Sequence, residues 1–260
     1  MEKSMKNQYQ NATNIAARIK LHSLYSLNKE GWFPWIFSQC HLQSGMNVLE
    51  LGCGDGALWK QNFSLLPQDI HITLSDISNG MLRDARRALG ARDSRFSFAA
   101  FDCEKIPAAS ESYDLVIANH VLFYCNNLEN VCREVRRVLK PDGRFLCSTY
   151  GNSHMKEISQ LVSQFDERIV LSANKLYEKF GRENGAQVLE PWFSRVEWIS
   201  YGDGLLVSDP EPLISYILSC HGNQNQYLLD HYKEFRSFVK KKTANGLHIT
   251  KDAGIFICNY

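Results

Sequence analysis

The residues best placed to do chemistry are carboxylates set beside alternating glycines. Glu50 sits in the run Val48-Leu49-Glu50-Leu51-Gly52-Cys53-Gly54-Asp55-Gly56, and Asp76 and Asp102 follow at later strand ends. Glycines at alternate positions let a ligand approach the main chain where a Cβ would collide. A helix opening at Ala57 would turn its free N–H groups to the same place. The letters Gly52-x-Gly54-x-x-Ala57 satisfy the relaxed dinucleotide fingerprint of dehydrogenases. Glu50 changes that reading, because a carboxylate inside an apolar strand is costly unless it is hydrogen-bonded or meets a cation. A ligand with a positively charged or donor-rich end is therefore expected over one with phosphates alone. Asp76 can accept both ribose hydroxyls of a nucleoside, a geometry that NAD shares. Its bland alternative is a turn or helix-cap aspartate.

These residues need strand ends to hold them, and the pattern supplies them. From Met46 to Tyr150 strands and helices alternate, which implies parallel βαβ units in a doubly wound α/β sheet with ligands at the carboxyl ends of its strands. Strands are expected over 47–51, 70–75, 96–100, 113–119 and 144–149. Ser78 caps a helix closed by Gly90, and a helix from Leu128 to Leu139 stops at Pro141-Asp142-Gly143. Before the core, Ile15, Ile19, His22 and Leu24 to Leu27 mark one helix, and Pro34 fits the first turn of a second over 33–41. The aromatic residues Tyr9, Tyr25, Trp32, Phe33, Trp35 and Phe37 either pack on the core or form a lid. After the core, Met155 to Phe165 and Leu176 to Phe180 mark two amphipathic helices, the second ending at Asn184-Gly185. Strands over 196–201 and 254–260 flank helical material between about Pro212 and Thr243.

Taken together, these ordered motifs over 46–150 resemble class I (seven-strand, Rossmann-like) S-adenosylmethionine-dependent methyltransferases of the small-molecule type. The resemblance implies a mostly parallel seven-stranded sheet in one domain overall. Within it, 1–45 would be an N-terminal helical lid, 46–150 the cofactor-binding core, 151–192 a helical cap and 193–260 the rest of the core with antiparallel strands. It implies S-adenosyl-L-methionine as cofactor and S-adenosyl-L-homocysteine as product. The cofactor-binding positions would be Glu50, Gly52, Cys53, Gly54, Gly56, Asp76, Ile77, Met81, Phe101, Asp102, Cys103, Asn119 and His120. Asp102 would accept from the adenine amine, the next backbone N–H would reach a ring nitrogen, and Phe101 would pack on the ring. The loop Asn119-His120-Val121-Leu122-Phe123-Tyr124 would flank the methionine end and the transferred methyl. That loop lacks the Asn/Asp-Pro-Pro-aromatic and Pro-Cys motifs of nucleobase chemistry, while Val138 to Arg144 resembles the connection found in small-molecule and quinone methyltransferases. If the acceptor must lose a proton, His120 is the first base to consider and His154 the second. His22, Tyr25, Phe123, Tyr124 and His154 would contact the substrate.

Composition narrows the partners. The chain has 260 residues, a net charge of +1, 44% apolar and 22% charged residues, which gives no electrostatic case for nucleic acid or anionic lipid. The eight cysteines contain no C-x-x-C pair, and the histidines have no metal-ligand spacing, so thiols in a cytoplasmic protein without metal are expected. The expected partner is a small-molecule acceptor, with no membrane, in a monomer or homodimer. Rival readings are an RNA or protein methyltransferase, an NAD-dependent oxidoreductase, and a non-catalytic S-adenosylmethionine-binding protein.

Overall fold

Continuous apolar strands separated by helices must pair in parallel and be covered on both faces. That is the state of β1 (Asn47–Leu51), β2 (His71–Asp76), β3 (Phe96–Ala100), β4 (Tyr113–Asn119) and β5 (Leu139–Tyr150) in the computed structural model, which describes residues 12–90, 93–172 and 175–260. Strand β9 (Ala253–Asn259) inserts antiparallel between β5 and β6 (Arg195–Ser200). The sheet order is β3-β2-β1-β4-β5-β9-β6, the doubly wound, mostly parallel seven-stranded arrangement expected from the sequence. Its order reverses between β1 and β4, which places the ligand crevice at the carboxyl ends of these two strands.

Two compact units share the chain. Of the described residues, those within 30–152, 176–201 and 253–260 form the unit that holds the sheet, whereas 12–29, 153–172, 175 and 202–252 form the other. One face of the sheet is covered by a cluster holding Trp35, Trp59, Leu82 and Leu146, the other by Val131, Val135, Phe145 and Phe180. Helix α1 (Ala12–Tyr25) belongs to the second unit, while α2 (Trp32–Cys40), α3 (Ala57–Gln61), α4 (Asn79–Leu89) and α5 (Leu128–Val138) belong to the sheet. Ser78 Oγ accepts from Met81 N to start α4, and Gly90 ends it at φ 88°. Trp32, Phe33, Trp35 and Phe37 pack on the first cluster; Tyr9 lies outside the described residues.

The two compact units do not follow the expected segments. The expected lid, cap and C-terminal segment are each divided between the units. Residues 176–201 join the sheet because Phe180 is buried there and its carbonyl accepts from Thr149 Oγ1 at 2.7 Å. Helix α6 (Lys156–Phe165) follows the expected span, but the next helix is broken. It stops as α7 (Leu176–Lys179) and restarts as α8 (Gly185–Leu189), since the Asn184 side chain accepts from Gly181 N and donates to Glu178 O, each at 2.7 Å. Strand β5 begins five residues early. Tyr113 pairs with Leu139 and the register resumes at Leu115 with Arg144, so the Pro141-Asp142-Gly143 segment bulges out of a continuous strand.

The second unit contains a pairing absent from the sequence reading: β7 (Asp203–Val207) runs antiparallel to β8 (Leu247–Lys251). Helices α9 (Pro210–Leu218), α10 (Gln224–Leu228) and α11 (Tyr232–Thr243) connect them. Leu21, Ile158, Leu205, Leu213, Phe235 and Ile249 fill its core. Asp203 ties the chain after α1 to β7. Its side chain is fully buried and accepts from Lys251 Nζ, Ser26 Oγ and, at 2.9 Å, Asn28 N. Burial pulls its pKa up, but the bonds from Lys251, Ser26 and Asn28 outweigh burial and hold it below the ordinary carboxylate value. A depressed pKa stabilises the fold above the unfolded value and loses that contribution as pH falls through the folded value. Asp203→Asn should therefore cost about 3–5 kcal/mol at neutral pH by stranding Lys251, and should flatten the loss of stability below about pH 4. Chemical denaturation at pH 7 and at pH 3 measures both effects.

Candidate cofactor site

The crevice is built from the ends of β1, β2, β3 and β4. After β1 the chain turns through Gly52 (φ 67°), Gly54 (φ 57°) and Gly56 (φ 78°). Two of these glycines do different work. A Cβ on Gly52 would lie 2.5 Å from Val121 Cγ2, so Gly52 lets the loop after β4 approach. A Cβ on Gly54 would meet nothing within 4 Å, which leaves open space over the turn. Cys53 N donates to Ser75 O at 2.8 Å, and Ser75 Oγ donates to Glu50 O at 2.8 Å, joining the turn to β2. The helix expected after Ala57 is only the five-residue α3, so its terminus is not an argument for anion binding.

Glu50 is 2% exposed, and Trp59 Nε1 donates to its Oε2 at 2.6 Å. Burial first, and then the nearby charges of Asp76 and Asp55, push the carboxyl up to about 8 against the pull of that hydrogen bond. Asp76 Oδ1 accepts from Ser78 N at 2.8 Å and Oδ2 from Gly54 N at 3.1 Å. Burial raises its pKa over the opposing effect of those two bonds. Both Asp76 oxygens retain a lone pair for a further donor. Ile77, next along, leaves an apolar side chain 69% exposed, and Met81 is half-buried.

At the end of β3, Phe101 packs on the sheet core while Asp102 is exposed, its Oδ1 accepting from Glu104 N at 2.9 Å. Cys103 Sγ lies 3.3 Å from Cys125 Sγ. After β4, a closed set of contacts fixes Asn119 and His120. Asn119 Oδ1 accepts from Ser148 Oγ at 2.6 Å and from Trp32 Nε1 at 3.2 Å. His120 N donates to Ser148 Oγ at 2.8 Å, and the His120 ring stacks on Trp32 at 5.0 Å and 16°. These contacts hold His120 at φ 57°, a conformation that a non-glycine residue adopts only where its surroundings impose it. The rings of Phe123 and Tyr150 lie 6.1 and 6.5 Å from that of His120. Phe123 is itself 4% exposed and acts as a core wall, with Tyr124 edge-on to it at 4.7 Å.

The remaining expected site residues, His22, Tyr25 and His154, belong to the second unit, where the His22 ring meets Tyr216 at 6.2 Å. The sequence reading missed Trp59, Trp32 and Ser148. Trp32 had a signal in the N-terminal aromatic run; Trp59 and Ser148 had none. Among the described residues no group of three or more His, Cys, Asp or Glu is arranged to hold a metal, and no helix is long and apolar enough to cross a membrane.

Comparison with known proteins bears on residues at the centre of this crevice. Residues 49–147 match the model of a methyltransferase domain family. Over that span the chain is similar to a methyltransferase domain. A malonyl-[acyl-carrier protein] O-methyltransferase of Bacillus cereus is 29% identical over 175 residues, 66% of this chain and 60% of that protein. A polyketide synthase-nonribosomal peptide synthetase of Phaeosphaeria nodorum is 37% identical over 117 residues, 43% of this chain and 3% of that protein. The solved structure of a phosphoethanolamine N-methyltransferase of Haemonchus contortus in complex with S-adenosyl-L-methionine shares the fold. It has a TM-score of 0.54 at 18% identity, with 88% of this chain and 52% of that chain covered. The chain thus spans 60% or less of the length of these three proteins.

S-adenosyl-L-methionine is the cofactor of this family, and the methyltransferase domain has features that fit it. The open space over Gly54 admits a ligand to the backbone, and Asp76 retains acceptor capacity beside it. The exposed Ile77 offers an apolar face to a flat ring. The raised Glu50 pKa also fixes a pH dependence of the ligand-free protein. A carboxyl whose folded pKa exceeds its unfolded value contributes stability below the unfolded pKa and loses it as pH rises through the folded one. Stability should therefore fall between about pH 4.5 and 8. Glu50→Gln should remove that slope and raise Tm at pH 8 by roughly 5 °C, with little change at pH 4. Thermal melts across that range check it.

Proposed function

We propose that this chain binds S-adenosyl-L-methionine in the crevice and directs its methyl group to an O or N atom of a small-molecule acceptor. One observation carries the reading: three acids, Glu50, Asp55 and Asp76, surround the glycine turn closely enough for the two aspartates to push up the pKa of Glu50. The two aspartates oppose the pyrophosphate of a dinucleotide, and a ligand with cationic ammonium and sulfonium groups draws Glu50 back to its charged form. The NAD-dependent oxidoreductase is disfavoured on this ground. In the proposed pose Asp76 holds the ribose hydroxyls, Ile77 and Phe101 flank the adenine, and Asp102 with Cys103 N reads its edge. Glu50, Asn119 and His120 face the methionine end.

When bound, the sulfonium supplies an electrophilic methyl with a neutral leaving group. The chain then has to align the acceptor and exclude water, and alignment alone is worth about 7–11 kcal/mol. The Trp32–Asn119–Ser148–His120 set gives His120 a fixed position for this task. His120 takes a proton only if the acceptor carries one that must leave. The relative named malonyl-[acyl-carrier protein] O-methyltransferase supports an oxygen acceptor, and a carboxylate would need no base. His120 would then orient the acceptor.

Transfer of labelled methyl from S-adenosyl-L-methionine to malonyl thioesters, free carboxylates, phenols and primary amines tests the reading. Labelling of one small-molecule class is expected; labelling confined to RNA or protein would overturn it. Asp76→Ala should weaken S-adenosylhomocysteine binding at least about tenfold with the fold intact, through loss of charge-assisted hydrogen bonds. Calorimetric titration of the variant checks that.

A further inference from the structure

We infer that Cys103 and Cys125 are an oxidation-closing dithiol whose disulfide competes with the cofactor; the competition, though not the crosslink, rests on the function proposed above. Two observations place the pair. Their sulfurs are 3.3 Å apart across the loops that follow β3 and β4. The same two loops are already held in register by Glu104, whose Oε1 accepts from Asn126 N at 2.6 Å and Asn127 N at 3.0 Å. Closure to an S–S bond of about 2.05 Å needs the sulfurs to move together by little more than an ångström.

Cys103 is half-buried and is the more exposed of the two residues, Cys125 being 7% exposed, so Cys103 is taken as the first to meet an oxidant. Contact with Cys125 and burial raise the Cys103 pKa, so little thiolate is present and oxidation of the pair is slow. The thiols of Cys147 and Cys258 also meet, but both are fully buried in the sheet. With a peroxide as oxidant, the Cys103 thiol is oxidised to a sulfenic acid with release of one water. The Cys125 thiol then attacks that sulfur, forms the S–S bond and releases a second water. Two thiols give up two electrons and two protons in all, and the peroxide takes them.

Closure draws on the loop bearing Asp102 and Cys103 N, the adenine side of the proposed pose. Cofactor in place should therefore slow closure, and closure should weaken cofactor by the same coupling factor. The test is peptide mapping by mass spectrometry after dilute hydrogen peroxide, with and without S-adenosylhomocysteine, followed by calorimetry of the reduced and oxidised protein. A single Cys103–Cys125 crosslink is expected, formed at least about threefold more slowly with ligand and reversed by dithiothreitol. Oxidised wild type should bind ligand at least threefold more weakly than reduced, whereas Cys125→Ser should show no such crosslink. Sulfinic acid at Cys103 without pairing, or pairing of other cysteines instead, would overturn the dithiol. Crosslinking with unchanged affinity and no protection would overturn the competition. Reduced protein that fails to bind S-adenosylhomocysteine would instead contradict the proposed function.

Discussion

A carboxylate buried at the end of the first strand sets the terms for the whole crevice. Glu50 is almost wholly removed from water and has one strong hydrogen-bond donor, the Trp59 indole. A charged group so placed is expensive, and Asp55 and Asp76 make it more so. The fold keeps this arrangement and surrounds it with a large apolar cluster in which Trp59 is fully buried. A carboxyl raised to about 8 is mostly protonated at neutral pH without ligand, and a ligand that brings positive charge is the one that gains from its ionisation. This constraint separates the two cofactors that the glycine fingerprint alone leaves open.

The other side of the crevice depends on a different kind of restraint. His120 has a left-handed backbone, and Ser148, Asn119 and Trp32 hold it through two hydrogen bonds to one amide oxygen, one to a hydroxyl, and a ring stack. The loop after β4 therefore presents His120 from a fixed backbone. Gly52 completes the connection, because Val121 of that loop occupies the space its side chain would fill. The glycine turn and the loop proposed to face the acceptor are thus packed against each other within one unit.

Much of this was legible in the sequence, for a physical reason. β1, β3 and β4 follow the expected spans because doubly buried strands are continuous apolar runs bounded by turn residues, a local signal. The strand-end acids were legible because their spacing follows from the βαβ repeat. What the sequence hid depends on distant partners. Trp59 reads as a helix residue until it meets Glu50, and Asn184 breaks a helix through bonds no periodicity records. The β7–β8 pair joins residues forty or more positions apart, so its strands carry no hairpin signal. The division into two units was hidden for the same reason: it follows contacts between distant segments, with Asp203 and Lys251 among them.

The central claim is that the crevice selects a sulfonium nucleoside over a dinucleotide by its charge. Parallel calorimetric titrations of the reduced protein with S-adenosyl-L-methionine, S-adenosyl-L-homocysteine and NAD test it most directly. The account predicts micromolar binding of both sulfur nucleosides and no heat of binding from NAD. Binding of NAD with no response to either sulfur nucleoside would contradict it, and with it the roles given to Glu50, Asp55 and Asp76.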